Sequence, residues 1–299
     1  MKRIIYSLYI DIPDEQLDYQ PPYPGDTLSK TERTKLLFQE HSPWLIEKQK
    51  AYAESIGVDY KIFMEDSKYL EFSEKMRQAY PQITGYNVVN FYKIQLMYDL
   101  AKEYDEILYL DLDVVPVTNA NFFEVWDLSK GVAIKSNKNR VNHNLEKILM
   151  TPERRDSFGK KSSNRSPTAK FWNQRAMVLY DGIDGDYTQV FNTGIVGINR
   201  EHLEKLDYFG NFNYTIELMD ELKADEDIWP HYIRDMFGWD NETIWGYKTM
   251  ENNVPCQWLN ESWHMFFDKE IYIDTNAKLI HCVNKRFEYV KKWCEENNL

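Results

Sequence analysis

The 299 residues carry 43% hydrophobic and 15% aromatic side chains, enough for a sizeable core and too many for global disorder. With 36 basic and 48 acidic residues the net charge is −12, which argues against nucleic acid as the main partner. No apolar run approaches the ~20 residues that span a bilayer. Cys256, Cys282 and Cys294 form no C-x-x-C pair, so reduced thiols in a cytoplasmic compartment are expected.

Arg3–Ile10 (RIIYSLYI) is apolar and β-branched and predicts a first strand. No small-residue cleavage site follows it, so the N-terminus reads as a strand and not as a signal peptide. The polar, proline-rich stretch Asp11–Lys30 reads as a loop. Ser42-Pro43 offers a cap and a first helical position, which predicts a helix over Pro43–Ile56 that stops at Gly57. Val58–Met64 (VDYKIFM) is the next strand, and strand, helix, strand opens a parallel α/β sheet. Asn87–Tyr104 shows the clearest helical period, with Val89, Tyr92, Leu96, Leu100 and Tyr104 forming an apolar stripe. Lys93 lies beside that stripe, either as a solvated charge or as a point charge for phosphate or sugar hydroxyls.

This helix leads into Tyr104–Thr118 (YDEILYLDLDVVPVT), where the apolar run Ile107–Leu110 reads as a buried strand ending in Asp111-Leu112-Asp113. On an extended backbone residues two apart point the same way, so both carboxylates are expected to converge at the strand exit. Two ionised carboxylates at close range repel unless a cation lies between them. Hard oxygen ligands suit Mg²⁺ or Mn²⁺, bound together with substrate phosphates. Two other readings stay open at this point. One is a turn bearing two solvated acids; the other is an aspartyl phosphatase with Asp111 as nucleophile, although that motif normally opens its domain.

Further on, Asn121–Leu128 reads as a short helix and Gly131–Ser136 as a strand. Lys135–Arg175 then holds eleven basic against three acidic residues, and Gly159–Pro167 (GKKSSNRSP) shows no apolar period. Residues 137–175 are therefore expected to form a basic, mobile insertion, either a solvated loop or a lid. Gln189–Asn199 returns to strand character, interrupted by Asn192-Thr193-Gly194, where the glycine marks a bend or a close backbone approach. Glu201–Asp207, Tyr214–Leu222 and Ile228–Phe237 read as amphipathic helices, the last two separated by Asp225-Glu226-Asp227. Asp240 is placed to cap one more helix. Ala277–Val283 is a last strand presenting His281, a packing residue or a ligand, before a terminal helix over Lys285–Glu296. With no linker or repeat, one domain over residues 1–299 is expected.

Taken together these blocks resemble glycosyltransferase family 8, nucleotide-diphospho-sugar glycosyltransferases of the GT-A fold. Asn90–Pro116 matches the family's helix with a basic residue, here Lys93, leading into h-h-Y-L-D-x-D. Phe191-Asn192-Thr193-Gly194 matches its F-N-(A/S)-G strand, Asp240-Asn241-Glu242 stands where the family has D-Q-D, and Leu279-Ile280-His281 matches the strand ending in a metal-binding His. The resemblance implies a Rossmann-like, mostly parallel sheet flanked by helices in a single α/β domain. It implies Mn²⁺ or Mg²⁺ held by Asp111, Asp113 and His281. Ser7, Leu8, Tyr9 and Leu112 would lie against the nucleotide, and Lys93, Asn192 and Gly194 against the donor sugar. Asp240, Asn241 and Glu242 would take the catalytic place. The implied reaction moves a hexose from UDP-glucose or UDP-galactose to a glycan or other hydroxyl acceptor, with retention. Three departures stand out: Asn284-Lys285-Arg286 replaces the family's G-x-x-K-P-W, Asn241 replaces Gln, and Asp225-Glu226-Asp227 rivals the D-Q-D position. A catalytically inactive sugar-nucleotide-binding protein is the remaining alternative, and the intact Asp111, Asp113 and His281 count against it.

Overall fold

The computed structural model describes residues 1–17, 27–137, 165–184, 189–225, 238–267 and 272–299. The helix expected over Ile228–Phe237, the polar stretch 138–164 and Glu226-Asp227 lie outside those residues. A six-stranded sheet runs β2-β1-β3-β6-β5-β7, built from β1 (Arg3–Leu8), β2 (Asp59–Phe63), β3 (Glu106–Leu110), β5 (Val132–Ser136), β6 (Phe191–Asn199) and β7 (Cys256–Trp258). β1 pairs in parallel with both β2 and β3, whereas β6 runs antiparallel to β3. The sheet is thus mixed, parallel on its β2-β1-β3 side. A second, three-stranded sheet joins β4 (Val114–Pro116), β9 (Leu279–His281) and β8 (Met265–Phe266), with β4 and β9 antiparallel. Among the described residues no helix is long and apolar enough to cross a membrane.

The chain divides into two compact units. The first comprises Met1–Ala133, Gly194–Arg200 and Gln257–Leu299. In it β1 and β3 are apolar on both faces, as expected of strands in the middle of a covered parallel sheet. One core gathers Ile5, Leu108, Leu110, Val114, Phe122 and Ile195; another gathers Leu112, Val115, Ile280, Cys282 and Phe287. Each such side chain contributes about 1.5–3 kcal/mol by leaving water.

Helix α1 spans Lys30–Ser55, so it starts well before the expected Pro43. Ser29 accepts a hydrogen bond from the Glu32 N–H while the Glu32 carboxylate accepts one from the Ser29 N–H, a reciprocal cap that opens the helix here. Pro43 lies inside the helix. Its penalty of about 3 kcal/mol is offset by the face His41, Ser42, Leu45, Gln49, Tyr52 and Ala53, which is buried on both sides of it. Gly57, at φ 69°, ends the turn that follows, as expected. Helix α2 (Ser67–Ala79) follows β2, and α3 (Gly85–Leu100) starts at Thr84 with its own reciprocal cap to Asn87. α3 is apolar nearly all round, and Lys93 is buried within it. After β4 come a one-turn helix α4 (Phe122–Val125) and, near the C-terminus, α9 (Phe287–Glu296).

The second unit comprises Ile134–Thr193 and Glu201–Cys256. Its helices are α5 (Arg165–Tyr180), α6 (Arg200–Leu206, entered from the first unit), α7 (Phe212–Ala224) and α8 (Asn241–Glu251). α5 corrects the expectation of a polar loop reaching Arg175. Phe171, Ala176, Met177 and Val178 are buried, and α5 packs on α7 and α8. The basic residues hid an apolar face that begins only at Phe171.

Candidate functional site

Three strand ends meet around the D-x-D motif. β3 stops at Leu110, and Val114 N–H donates to the Asp111 carbonyl at 2.9 Å, closing a tight turn over Asp111–Val114. The two carboxylates therefore converge because the chain turns, and not because the backbone stays extended. β6 arrives antiparallel, with Leu110 opposite Ile195, and the Gly194 carbonyl accepts from Asp111 N–H at 2.7 Å. β9 arrives against β4, with His281 opposite Val114, and Cys282 N–H donates to the Asp113 carbonyl at 2.9 Å. Register alone thus carries His281 to a motif 168 positions earlier.

One ligand atom each from Asp111, Asp113 and His281 lies within 4.8 Å of the others. His281 Nε2 is 3.4 Å from Asp113 Oδ2 and 3.9 Å from Asp111 Oδ2. Asp113 and His281 are buried, while Asp111 retains 29% side-chain exposure, leaving the cluster open on one side. A Cβ on Gly194 would come within 2.8 Å of His281 Nδ1 and 2.9 Å of Asp111 Oδ2. The glycine in the apolar strand is therefore a close-approach glycine. Two carboxylates and an imidazole, with space that a single methyl would close, fit a divalent cation.

Several groups hold this arrangement, and most escaped the sequence reading. Gln49, fully buried on α1, donates to the carbonyls of Asp111 (3.0 Å) and Val114 (2.9 Å) and so grips both ends of the turn. Its own carbonyl accepts from Ser7 Oγ and from Tyr60 Oη. Tyr109 Oη donates to Asp111 Oδ1 at 2.5 Å; burial first, and then the charge of Asp111, pushes that phenol well above its usual range. Lys93 Nζ lies 3.5 Å from the same oxygen. His264, buried just before β8, places Nε2 2.9 Å from His281 Nδ1. Lys285, in the turn after β9, donates to Asp113 Oδ2. Burial favours a neutral Asp113, yet the Lys285 ammonium above all, with the His281 imidazole beside the same oxygen, outweighs it and holds the carboxyl well below the usual range. Of the remaining expected residues of this unit, three face inward and Tyr9 is half-buried. Ser7 and Leu8 are buried, Leu112 belongs to the core with Val115 and Ile280, and Tyr9 packs near Phe38.

In the second unit the expected block stands at the start of α8. Asp240 is the N-cap, accepting from the N–H groups of Glu242 (3.1 Å) and Thr243 (2.9 Å). Burial pushes its carboxyl up, partly countered by Lys170. Asn241 Nδ2 donates to Thr193 Oγ1 at 2.7 Å, and the Glu242 carboxylate accepts from Thr193 N–H at 2.8 Å and from Lys170. All three side chains are thus tied to the strand that carries Asn192 or to α5.

The family model of glycosyl transferase family 8 matches residues 26–243, well over half of the chain. The chain belongs to glycosyltransferase family 8. As a family 8 glycosyltransferase it has its D-x-D, Lys93, Asn192, Gly194 and the Asp240–Glu242 block inside the matched range, with Ser7–Tyr9 and His281 outside it. Membership sets aside the aspartyl-phosphatase reading of Asp111. No curated protein matches the chain. Three solved structures show distant likenesses. A glycosyltransferase involved in the glycosylation of the major capsid of PBCV-1 is 12% identical, covering 98% of each chain, at a TM-score of 0.42. LgtC in complex with donor and acceptor sugar analogs is 11% identical, covering 94% of this chain and 87% of its own, at 0.44. Mouse xyloside xylosyltransferase 1 in its apo form is 14% identical, covering 79% and 80%, at 0.40. These likenesses are too distant to carry an argument, and the family match carries it.

Proposed function

We propose that this glycosyltransferase is metal-dependent and moves a hexose from a UDP-sugar, UDP-glucose or UDP-galactose, to a hydroxyl of a glycan or other acceptor, with retention. The observation that carries the reading is the meeting of Asp111, Asp113 and His281 within 4.8 Å at three strand ends. Oxygen, oxygen and nitrogen donors together suit Mn²⁺, with Mg²⁺ the second choice. Bound there, such an ion would supply charge stabilisation to the leaving diphosphate.

The chain's own residues supply the rest. Asp113 presents an ionised oxygen from a buried position, and Tyr109 and Lys93 fix Asp111. Gln49 locks the turn that sets the spacing of the two acids. Gly194 keeps the approach clear. Ser7, Leu8, Tyr9 and Leu112 are assigned to the nucleotide; since Ser7, Leu8 and Leu112 turn their side chains inward, they would offer backbone. Lys93, Asn192 and Gly194 are assigned to the donor sugar. Asp240, Asn241 and Glu242 keep their catalytic assignment on sequence correspondence with the family.

Calorimetry with UDP and Mn²⁺ tests the reading. Asp113→Ala should abolish metal-dependent UDP binding and transfer while preserving the fold. Unchanged metal-dependent affinity in that variant overturns the assignment.

A further inference from the structure

Two ammonium groups already stand against the two aspartates. Lys93 approaches Asp111 Oδ1, and Lys285 is hydrogen-bonded to Asp113 Oδ2, the oxygen that His281 Nε2 also faces at 3.4 Å. Formally, two carboxylates and two ammonium groups cancel with no other ion present. A divalent cation entering this cluster meets a balanced site and leaves it with a surplus of two positive charges.

Lys285 is held differently from Lys93. Lys93 is buried in α3. Lys285 belongs to no strand or helix: its backbone sits at φ 57°, in the left-handed region, and its N–H donates to the Cys282 carbonyl at 2.9 Å. Its ammonium lies 5.2 Å from the centre of the Phe38 ring, a face that accepts a cation. The side chain can therefore leave Asp113 without unfolding any element and without losing every favourable contact.

We propose that Lys285 is a built-in counterion on Asp113 Oδ2 which a divalent cation must displace, so that it holds down the metal affinity of the nucleotide-free protein. This rests on reading Asp111, Asp113 and His281 as the metal site. An anion arriving with the metal removes the charge surplus, so Lys285 couples metal binding to diphosphate binding and the cation is taken up chiefly with its donor.

The test is calorimetric titration of Mn²⁺ into the full chain without nucleotide, repeated with saturating UDP. Lys285→Met should bind Mn²⁺ alone at least about tenfold more tightly than wild type, a difference of 1.4 kcal/mol, and UDP should improve its Mn²⁺ affinity less. Lys285→Arg, which restores the charge, should behave like wild type. Equal or weaker Mn²⁺ binding by Lys285→Met overturns the inference while leaving the metal site standing. If wild type binds no Mn²⁺ even with UDP, the metal reading itself falls, and the inference with it. Should Lys285→Met not fold, wild type decides. Acetylation of Lys285 by an amine-reactive ester, followed by peptide mass spectrometry, should accelerate several-fold when Mn²⁺ is added, and an unchanged rate overturns the proposal.

Discussion

Asp113 carries its charge where burial alone would remove it, and the adjacent Lys285 ammonium above all reverses that preference. The sign of the pH dependence follows. The folded pKa lies below the unfolded value of about 3.9, so the contribution to stability is present above about pH 4. It is lost as pH falls from there through the folded pKa. In metal-free protein, Asp113→Asn should lower stability at pH 7 and flatten the acid limb below about pH 4. Urea unfolding at a series of pH values checks this, and parallel acid limbs for variant and wild type would refute it. The D-x-D itself was plain in the sequence because an apolar run ended in two acids. Lys285 was visible only as a departure from a pattern, since its role depends on a left-handed turn that no local residue choice announces.

At the scale of elements, β8 and β9 run in parallel and bring two imidazoles together, His264 from just before β8 and His281 from the end of β9. A metal-facing Nε2 on His281 needs its lone pair, which puts the proton on Nδ1 and makes His264 Nε2 the acceptor. His264→Phe removes that acceptor and should weaken Mn²⁺ binding roughly 10–100-fold. His264→Gln returns an acceptor near the same place and should recover most of the loss. Equal affinities in the two variants, measured by calorimetry, would show that His264 only fills space. Neither His264 nor Gln49 stands out in the sequence, because a buried His and a mid-helix Gln look alike whether they pack or position. β1, β2, β3, β5 and β6 were legible from apolar runs. The start of α1 was not, since Ser42-Pro43 outshone the quieter Ser29…Glu32 pair. α5 was hidden because charge count drew the eye from the spacing of Phe171, Val178 and the residues between.

For the molecule as a whole, the spaced blocks identified the family, and within the chain two compact units interleave. The chain passes between the two compact units four times along the sequence, so no linker or change of composition marks their boundaries. A whole-protein measurement tests the proposed chemistry. UDP with Mn²⁺ at about 100 times the dissociation constant should stabilise the full chain by roughly 2.7 kcal/mol, and either component alone by much less. Equal thermal shifts from UDP with and without Mn²⁺ would count against a metal-bridged diphosphate.

The pairing of β4 with β9 has a consequence for biogenesis. Val114, Val115 and Pro116 are fully covered in the finished protein, and β9 is the strand they pair with. The ribosome makes β4 long before Leu279–His281, so Val114 and Val115 wait for their partner strand until late in synthesis. The third member of the Asp111, Asp113 and His281 cluster arrives with the same late strand. A half-made chain therefore carries both aspartates without their imidazole, and the polypeptide gains His281 beside them and covers β4 in one step.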